Sequence, residues 1–312
     1  MESKVIILTE AGKQYGYGHL IRCLAIAQGF KDKGMLPVFY IRGDCKPAEI
    51  LQGFEWHIFD WISASQDISG KIVIVDSYYA DERLCRKIYG QAAGVLFIDD
   101  FNRIPYPGGF VLNSVLGADA IDYPCNESVT YLFGPEYHPL RKEFWEVPVK
   151  VINEVVKKVL ITFGGTDITN ETPHVLRSLQ DKYPEFEKRV IIGEGFSNVD
   201  EIKDAADENT TLIMQPDAEK MKEEMLECDI AVSAAGQTIY EFARIGTPTF
   251  AKKVVDNQDY IIKNWKDKNF LLSLDTITMI PDYNSRNGIC NIGRNLVDGK
   301  GVQRIVGMLT ND

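Results

Sequence analysis

At 312 residues, with 45% hydrophobic and 25% charged side chains, the chain has the composition of a globular protein and is long enough for two domains rather than one core. A net charge of −11, with Lys and Arg scattered along the chain, excludes a nucleic-acid surface built on a basic stripe. It leaves room for a phosphorylated small ligand, because N–H groups at helix starts bind phosphate without net positive charge.

The chain opens with a short β-branched run, Val5-Ile-Ile-Leu8, followed by a Gly-rich loop and a helical pattern from His19 through Leu20, Ile21, Leu24, Ala25 and Gln28, ending near Gly29. Strand-like runs follow at 37–41, 71–75, 94–98 and 110–112, with a helix expected over 81–91. Around Glu146 to Glu154 the pattern loosens, and a boundary is expected within 147–157. The alternation then restarts, with strands expected at 158–162, 189–192, 211–214, 229–233 and 249–251. Helices are expected at 172–182, 200–208, 221–226, 238–245 and 302–309. Short apolar strands alternating with helices imply parallel sheets covered on both faces. Two successive α/β halves place a ligand in a cleft at the carboxyl ends of the strands.

The six cysteines show no CxxC and read as reduced thiols, and none of the four histidines (19, 57, 138 and 174) lies at metal-ligand spacing from another His or Cys. No metal and no cofactor is expected. The start of the chain runs into a strand rather than a signal peptide, and no apolar run approaches the roughly 18 residues that span a bilayer. A soluble cytoplasmic enzyme with no membrane span is the expectation.

Gly16-Tyr-Gly-His19 lies between a strand and a helix. Its glycines let the backbone turn and approach a ligand, and His19 falls where the helix dipole disfavours the cationic form, which suits a general base. The alternative is a helix-capping His in a tight turn. In the second half, Gly164, Gly165 and Thr166 follow a strand as a phosphate-approach loop or a simple turn. Ser233-Ala-Ala-Gly-Gln-Thr238 runs from a strand into a helix, so a diphosphate can reach the helix start, and Glu241 one turn later can accept ribose hydroxyls or be a solvated charge. Asp76 and Asp99-Asp100 each end a strand, as cleft-edge carboxylates or as cap and turn residues. His57, His138 and His174 lack a supporting constellation.

These motifs, in order, are Gly16-Tyr-Gly-His-Leu-Ile-Arg22, Asp76-Ser-Tyr78, Asp99-Asp100, Leu140-Arg-Lys-Glu-Phe144, Gly164-Gly-Thr-Asp167, Ser233 to Glu241, and Asp256-Asn-Gln258. Together they resemble the UDP-sugar hydrolases of pseudaminic acid biosynthesis, which remove UDP from UDP-2,4-diacetamido-2,4,6-trideoxy-β-L-altropyranose. Spore-coat polysaccharide biosynthesis proteins are close relatives of that family. The second-half pattern is similar to that of the peptidoglycan N-acetylglucosaminyltransferase of the GT-B fold.

The resemblance implies two Rossmann-like domains facing across a cleft: a sugar-binding, catalytic domain over 1–148 and a UDP-binding domain over 149–312. It implies His19 as the base that activates water against the anomeric carbon, with Tyr78 and Asn257 orienting water or sugar and Gln258 touching the hexose. Gly236, Gln237 and Thr238 would hold the diphosphate and Glu241 the ribose, with Ala235 also in the UDP-binding set. Gly16, Gly18, Arg22, Asp76, Asp100, Gly164, Gly165 and Thr166 complete the expected substrate- and UDP-binding set. The partner is a UDP-sugar and the oligomeric state is open. Two segments depart from the family pattern, Tyr79-Ala-Asp-Glu-Arg83 and Asn102 to Tyr123, and both bear on which sugar is bound. A glycosyltransferase using the same base on an acceptor hydroxyl, or a non-catalytic sugar-nucleotide binder, are the competing readings.

Overall fold

The computed structural model describes residues 4–255, 258–274, 277 and 279–310. The chain divides into two compact units, one of Met1–Lys142 with Gly299–Asp312 and one of Glu143–Asp298. The dividing point thus lies slightly ahead of the expected 148/149, and the segment from Gly299 onward, expected in the second domain, groups with the first.

The first unit begins with β1 (Val5–Ala11), α1 (Gly18–Asp32), β2 (Val38–Gly43), β3 (Glu55–Ile58) and β4 (Ile72–Asp76). It continues with α2 (Glu82–Gln91), β5 (Gly94–Ile98), β6 (Gly109–Asn113) and β7 (Val129–Phe133). The strands form one sheet in the order β3-β2-β1-β4-β5-β6-β7, and the pairs are parallel. Every residue of β1 is buried, as expected of a central strand covered on both faces. Ile6, Leu8, Val73, Val75, Val95, Phe97 and Val111 form one side of the core, against Trp61, Ile68, Cys85 and Ile88.

The second unit repeats the plan with β8 (Lys158–Thr162), α3 (Glu171–Lys182), β9 (Glu187–Ile192), α4 (Val199–Ala205), β10 (Thr210–Met214) and α5 (Ala218–Glu227). It continues with β11 (Ile230–Ala234), α6 (Thr238–Ile245), β12 (Thr249–Lys252), α7 (Gln258–Asp267), β13 (Leu271–Ser273) and α8 (Tyr283–Leu296). Its parallel sheet has the order β10-β9-β8-β11-β12-β13. Val159, Ile161, Val190, Ile192, Ile230 and Val232 pack with Val175, Leu176 and Leu179 of α3.

The chain then returns to the first unit as α9 (Gly301–Thr310). Val302 and Val306 of α9 press so closely on Gly29 of α1 that a Cβ at position 29 would overlap them.

In each sheet the strand order reverses once, between β1 and β4 and between β8 and β11. Doubly wound sheets bind ligands beyond the carboxyl ends of the strands at such a switch point. The loops that leave these four strands carry most of the residues singled out from the sequence. Among the described residues no helix is long and apolar enough to cross a membrane.

Candidate functional site

The switch point of the first sheet holds a cluster of polar side chains buried at the edge of the core. Gly12 and Gly16 exchange backbone hydrogen bonds of 3.1 and 2.7 Å, closing the loop after β1. Gly16 has a φ of 71°, a left-handed conformation that glycine adopts without strain. Gly18 begins α1, and His19 follows in its first turn. The His19 side chain is committed to Asp76 rather than to capping the helix: Nδ1 lies 2.6 Å from Asp76 Oδ1, across 57 residues of sequence.

Asp76, the last residue of β4, is fully buried. Arg22, one turn after His19, donates Nε to Asp76 Oδ2 and Nη2 to Asp76 Oδ1, both at 2.6 Å. Its Nη1 reaches both oxygens of Asp100 at 2.9 Å. One guanidinium thus joins two carboxylates, the bidentate geometry for which Arg is suited. Tyr78 donates its hydroxyl to Asp100 Oδ2 at 2.7 Å and sets its ring edge-on to His19, with centroids 4.5 Å apart.

Burial alone would raise the Asp76 carboxyl, but Arg22 and His19 overcome it and hold the group well below the usual carboxylate range. Ionised Asp76 can only accept, so His19 Nδ1 carries the proton that fills the 2.6 Å contact. In the neutral imidazole Nε2 then keeps the lone pair, the arrangement of a base oriented by a carboxylate. Arg22 Nη2, 3.3 Å from His19 Nδ1, faces another donor there and takes its partner from Asp76. Burial lowers and Asp100 and Asp76 raise the Arg22 guanidinium, which stays charged. Burial and then Asp100 push the Tyr78 phenol far up, so it remains a hydroxyl. With neutral His19 the charges of Arg22, Asp76 and Asp100 sum to minus one, so a proton arriving on the imidazole is compensated.

The adjacent carboxylates Asp99 and Asp100 part company. Asp99 turns inward, accepting the N–H of Phe101 and Arg103 at 3.2 Å each and the Tyr123 hydroxyl at 3.1 Å, and so serves the turn. Arg22 and Asp76, expected among the substrate contacts, are both buried, with Asp76 bonded to His19 and Arg22 bonded to Asp100, the acceptor of the Tyr78 hydroxyl. Of the other histidines, His57 is exposed beside Glu55 and His174 is exposed. His138 is buried against Ser114 Oγ at 3.0 Å, and burial pushes it down to about 3.

In the second unit, the loops after the neighbouring strands β8 and β11 leave the same edge of the sheet. Gly164, Gly165 and Thr166 are exposed, and Gly164 has a φ of 76°. The α3 start beyond this loop is occupied by its own chain: Asp167 accepts the N–H of Glu171 at 2.8 Å and of Thr172 at 3.0 Å. At α6 the N-cap residue, Gln237, makes no side-chain cap hydrogen bond, and the N–H groups of Ile239 and Tyr240 bond back to Gly236 O at 3.1 Å and Gln237 O at 3.0 Å. Asp167 thus closes the α3 start to an anion, whereas Gln237 lays no side chain of its own over the α6 start. Ala235 is buried, Gly236 and Thr238 are partly exposed, and Gln237 is exposed. Glu241 lies in the first turn of α6 and is buried, which removes its reading as a solvated charge. Gln258 opens α7 and accepts the Val254 N–H at 2.8 Å. Asn257 lies outside the described residues.

Sequence reasoning passed over Glu10 and Ser77. Both are buried at the carboxyl edge of the first sheet, with Ser77 Oγ donating to Glu10 Oε1 at 2.8 Å. The available signal was a carboxylate near the end of an otherwise apolar strand, Val5-Ile-Ile-Leu-Thr-Glu-Ala11.

Two successive Rossmann-like units, with a His–carboxylate pair at the switch point of the first, define the class: the chain has a GT-B fold. The likeness to solved structures extends over both units. Acinetobacter baumannii MurG superposes with a TM-score of 0.64 at 15% identity, over 99% of this chain and 100% of that one. Staphylococcus aureus MnaA, solved with UDP, gives 0.65 at 12% identity, over 99% and 96%.

No protein-family model matches the chain. It is 26% identical over 270 residues to the uncharacterized protein MJ1062 of Methanocaldococcus jannaschii, covering 78% of this chain and 54% of that protein. It is 23% identical over 331 residues to the spore coat polysaccharide biosynthesis protein SpsG of Bacillus subtilis, covering 97% and 96%. A Helicobacter pylori protein named as pseudaminic acid cytidylyltransferase and UDP-2,4-diacetamido-2,4,6-trideoxy-beta-L-altropyranose hydrolase is 23% identical over 283 residues, covering 89% and 50%. The chain thus spans about half the length of the first and third of these relatives.

Proposed function

We propose that the chain processes a sugar nucleotide in polysaccharide biosynthesis, as a hydrolase of a UDP-linked, diacetamido-trideoxy type of hexose. The observation that carries this reading is the His19–Asp76 pair, which orients the imidazole and places the proton of its neutral form on Nδ1, leaving Nε2 to act as the base. In the proposed step His19 Nε2 takes a proton from water while the water oxygen bonds to the anomeric carbon. The bond from that carbon to the phosphate oxygen breaks, and UDP leaves with the electron pair. UDP is a good leaving group without protonation, and the start of α6, where Gln237 makes no side-chain cap hydrogen bond, is suited to the charge that builds on it.

Within this reading Gly236, Gln237 and Thr238 receive the diphosphate, Glu241 the ribose and Gln258 the hexose. Gly164, Gly165 and Thr166 lie along the nucleotide. Tyr78 orients water or sugar together with Asn257. Arg22, Asp76 and Asp100 hold the base. The B. subtilis and H. pylori relatives, named for polysaccharide synthesis and for UDP-sugar hydrolysis, support the substrate class.

The test is incubation with a panel of UDP-amino sugars in the absence of any acceptor, following free UDP and released sugar by NMR. His19→Ala should abolish release while UDP affinity persists. A rate unchanged by His19→Ala would sink the assigned base. Turnover seen only after an acceptor hydroxyl is supplied would replace hydrolysis by glycosyl transfer, with the same base acting on the acceptor. Tight UDP binding with no turnover of any donor would mark a non-catalytic binder.

A further inference from the structure

A second polar row crosses the carboxyl edge of the first sheet, and the proposed hydrolysis makes no use of it. Glu10 of β1 lies in register with Arg42 of β2. The pairing of Leu8 with Val75 brings Ser77, just beyond β4, to the other side of Glu10. Glu10 is fully buried, and its Oε1 accepts the Ser77 hydroxyl at 2.8 Å and lies 3.6 Å from Arg42 Nη1. Arg42 in turn pairs with Asp60 at 3.0 Å and lies over the rings of Tyr15 and Tyr79.

Ser77 gives its proton to Glu10, and the same oxygen accepts the backbone N–H of Tyr79 at 3.0 Å and of Ala80 at 3.1 Å. The turn over residues 77–80 is thereby tied to Glu10. The residue displayed on that turn is Tyr78, whose ring meets His19 and whose hydroxyl meets Asp100. Burial raises the Glu10 carboxyl against the opposing pull of Ser77, His19 and Arg42, so the position is a costly one for an acid. An ion pair with Arg42 alone would not require the Ser77 hydroxyl or the amides it gathers.

We propose that Glu10 is a positioning residue of the His19 site, acting through Ser77 to hold the turn that sets Tyr78 against the imidazole. Its role in turnover rests on the reading of His19 as the base. Charged or titratable groups facing Glu10 or its partners at this end of the sheet include His19, Arg22 and Cys23 of α1, Asp76 of β4, Asp99 and Asp100 after β5, and Arg42 of β2 with its partner Asp60. None of these is altered in the Glu10 and Ser77 variants that test the idea.

The experiment uses Glu10→Ala, Glu10→Gln, Ser77→Ala and the Glu10→Ala/Ser77→Ala double variant. It reads kcat and KM for UDP release, and the His19 ring-proton NMR signals without substrate, assigned by their loss in His19→Ala. Glu10→Ala and Ser77→Ala should each lower kcat about tenfold or more, since small misplacements near reacting groups cost up to roughly a hundredfold, with KM little changed. The double variant should be no worse than either single one, as for two links of one chain. Both single variants should move the His19 ring signals in the direction that Tyr78→Ala moves them. Glu10→Gln, whose amide oxygen still accepts the Ser77 hydroxyl, should recover most of the lost kcat.

A Glu10→Ala protein with a lower melting temperature but wild-type kcat and wild-type His19 signals would reduce Glu10 to a partner of Arg42. Multiplying losses in the double variant would break the route through Ser77. If no UDP-sugar is turned over, the hydrolase reading falls, and the ring-proton comparison still decides whether Glu10 positions Tyr78.

Discussion

Asp76 holds a charge in the interior because two neighbours need it there. Arg22 takes both of its oxygens and His19 Nδ1 shares one. Replacing it by Asn keeps the shape and removes the obligatory acceptor. An amide can donate to Nδ1, which moves the imidazole proton to Nε2 and removes the base. Asp76→Asn should lower the rate of UDP release by about 10²- to 10⁴-fold, read alongside the imidazole tautomer by nitrogen NMR.

The same residue sets a pH dependence. Its folded-state pKa lies below the unfolded value near 3.8, so its stabilisation is fully present above that value and is lost as pH falls through the folded one. Urea midpoints of the wild type should therefore drop below about pH 4 more steeply than those of Asp76→Asn. Much of this site was legible in the sequence because His19, Asp76, Tyr78 and Asp100 flank strand ends. The Arg22 bridge between two carboxylates was not, since its partners lie 54 and 78 residues away and only the parallel sheet brings them together. Glu10 was hidden by lying inside an apolar strand rather than at a loop.

At the scale of elements, the strongly apolar strands and the helices between them were readable, and α8 was not. Its sequence, Tyr-Asn-Ser-Arg-Asn-Gly-Ile-Cys-Asn-Ile-Gly-Arg-Asn-Leu, is rich in Gly and Asn, both poor helix formers. Packing explains the choice: a Cβ at Gly293 would meet the Phe270 ring and the Ala243 carbonyl, so small size is required where α8 crosses α6. Edge strand β3, Glu-Trp-His-Ile, is exposed throughout and lacks the apolar run by which its neighbours were recognised.

The far end of α6 shows the same economy of space. Gly246 ends the helix with a φ of 91°, its N–H bonds Phe242 O at 2.8 Å, and a Cβ there would run into Cys290 of α8. Gly246→Ala combines a left-handed backbone on a residue that resists it with that overlap. It should destabilise the second unit by about 1–3 kcal/mol, measured by urea unfolding.

At the scale of the whole chain, the halves differ in how they are closed. The second unit is one continuous stretch, whereas the first needs α9, whose Val302, Ile305, Val306 and Leu309 are buried. Stopping the chain at Asp298 should leave the second unit with its own unfolding transition in calorimetry. The first unit should become open to limited proteolysis, with its transition lowered or lost. A full-strength transition for both units would show α9 to be dispensable. The sequence disclosed α9 as an amphipathic helix but not its destination, because periodicity reports that a face is apolar and not which surface will cover it.

Gly29, shaped to receive α9, also fixes an order of events during synthesis. The strands around His19 leave the ribosome first, yet the helix that covers α1 is translated only after the whole second unit. At about 5–20 residues per second the gap lasts roughly ten to thirty seconds. Throughout it the nascent first unit carries an uncovered apolar surface, while the second unit can already be folded. The half bearing the His19–Asp76 pair is therefore the half a holdase chaperone would meet, and the last to become competent.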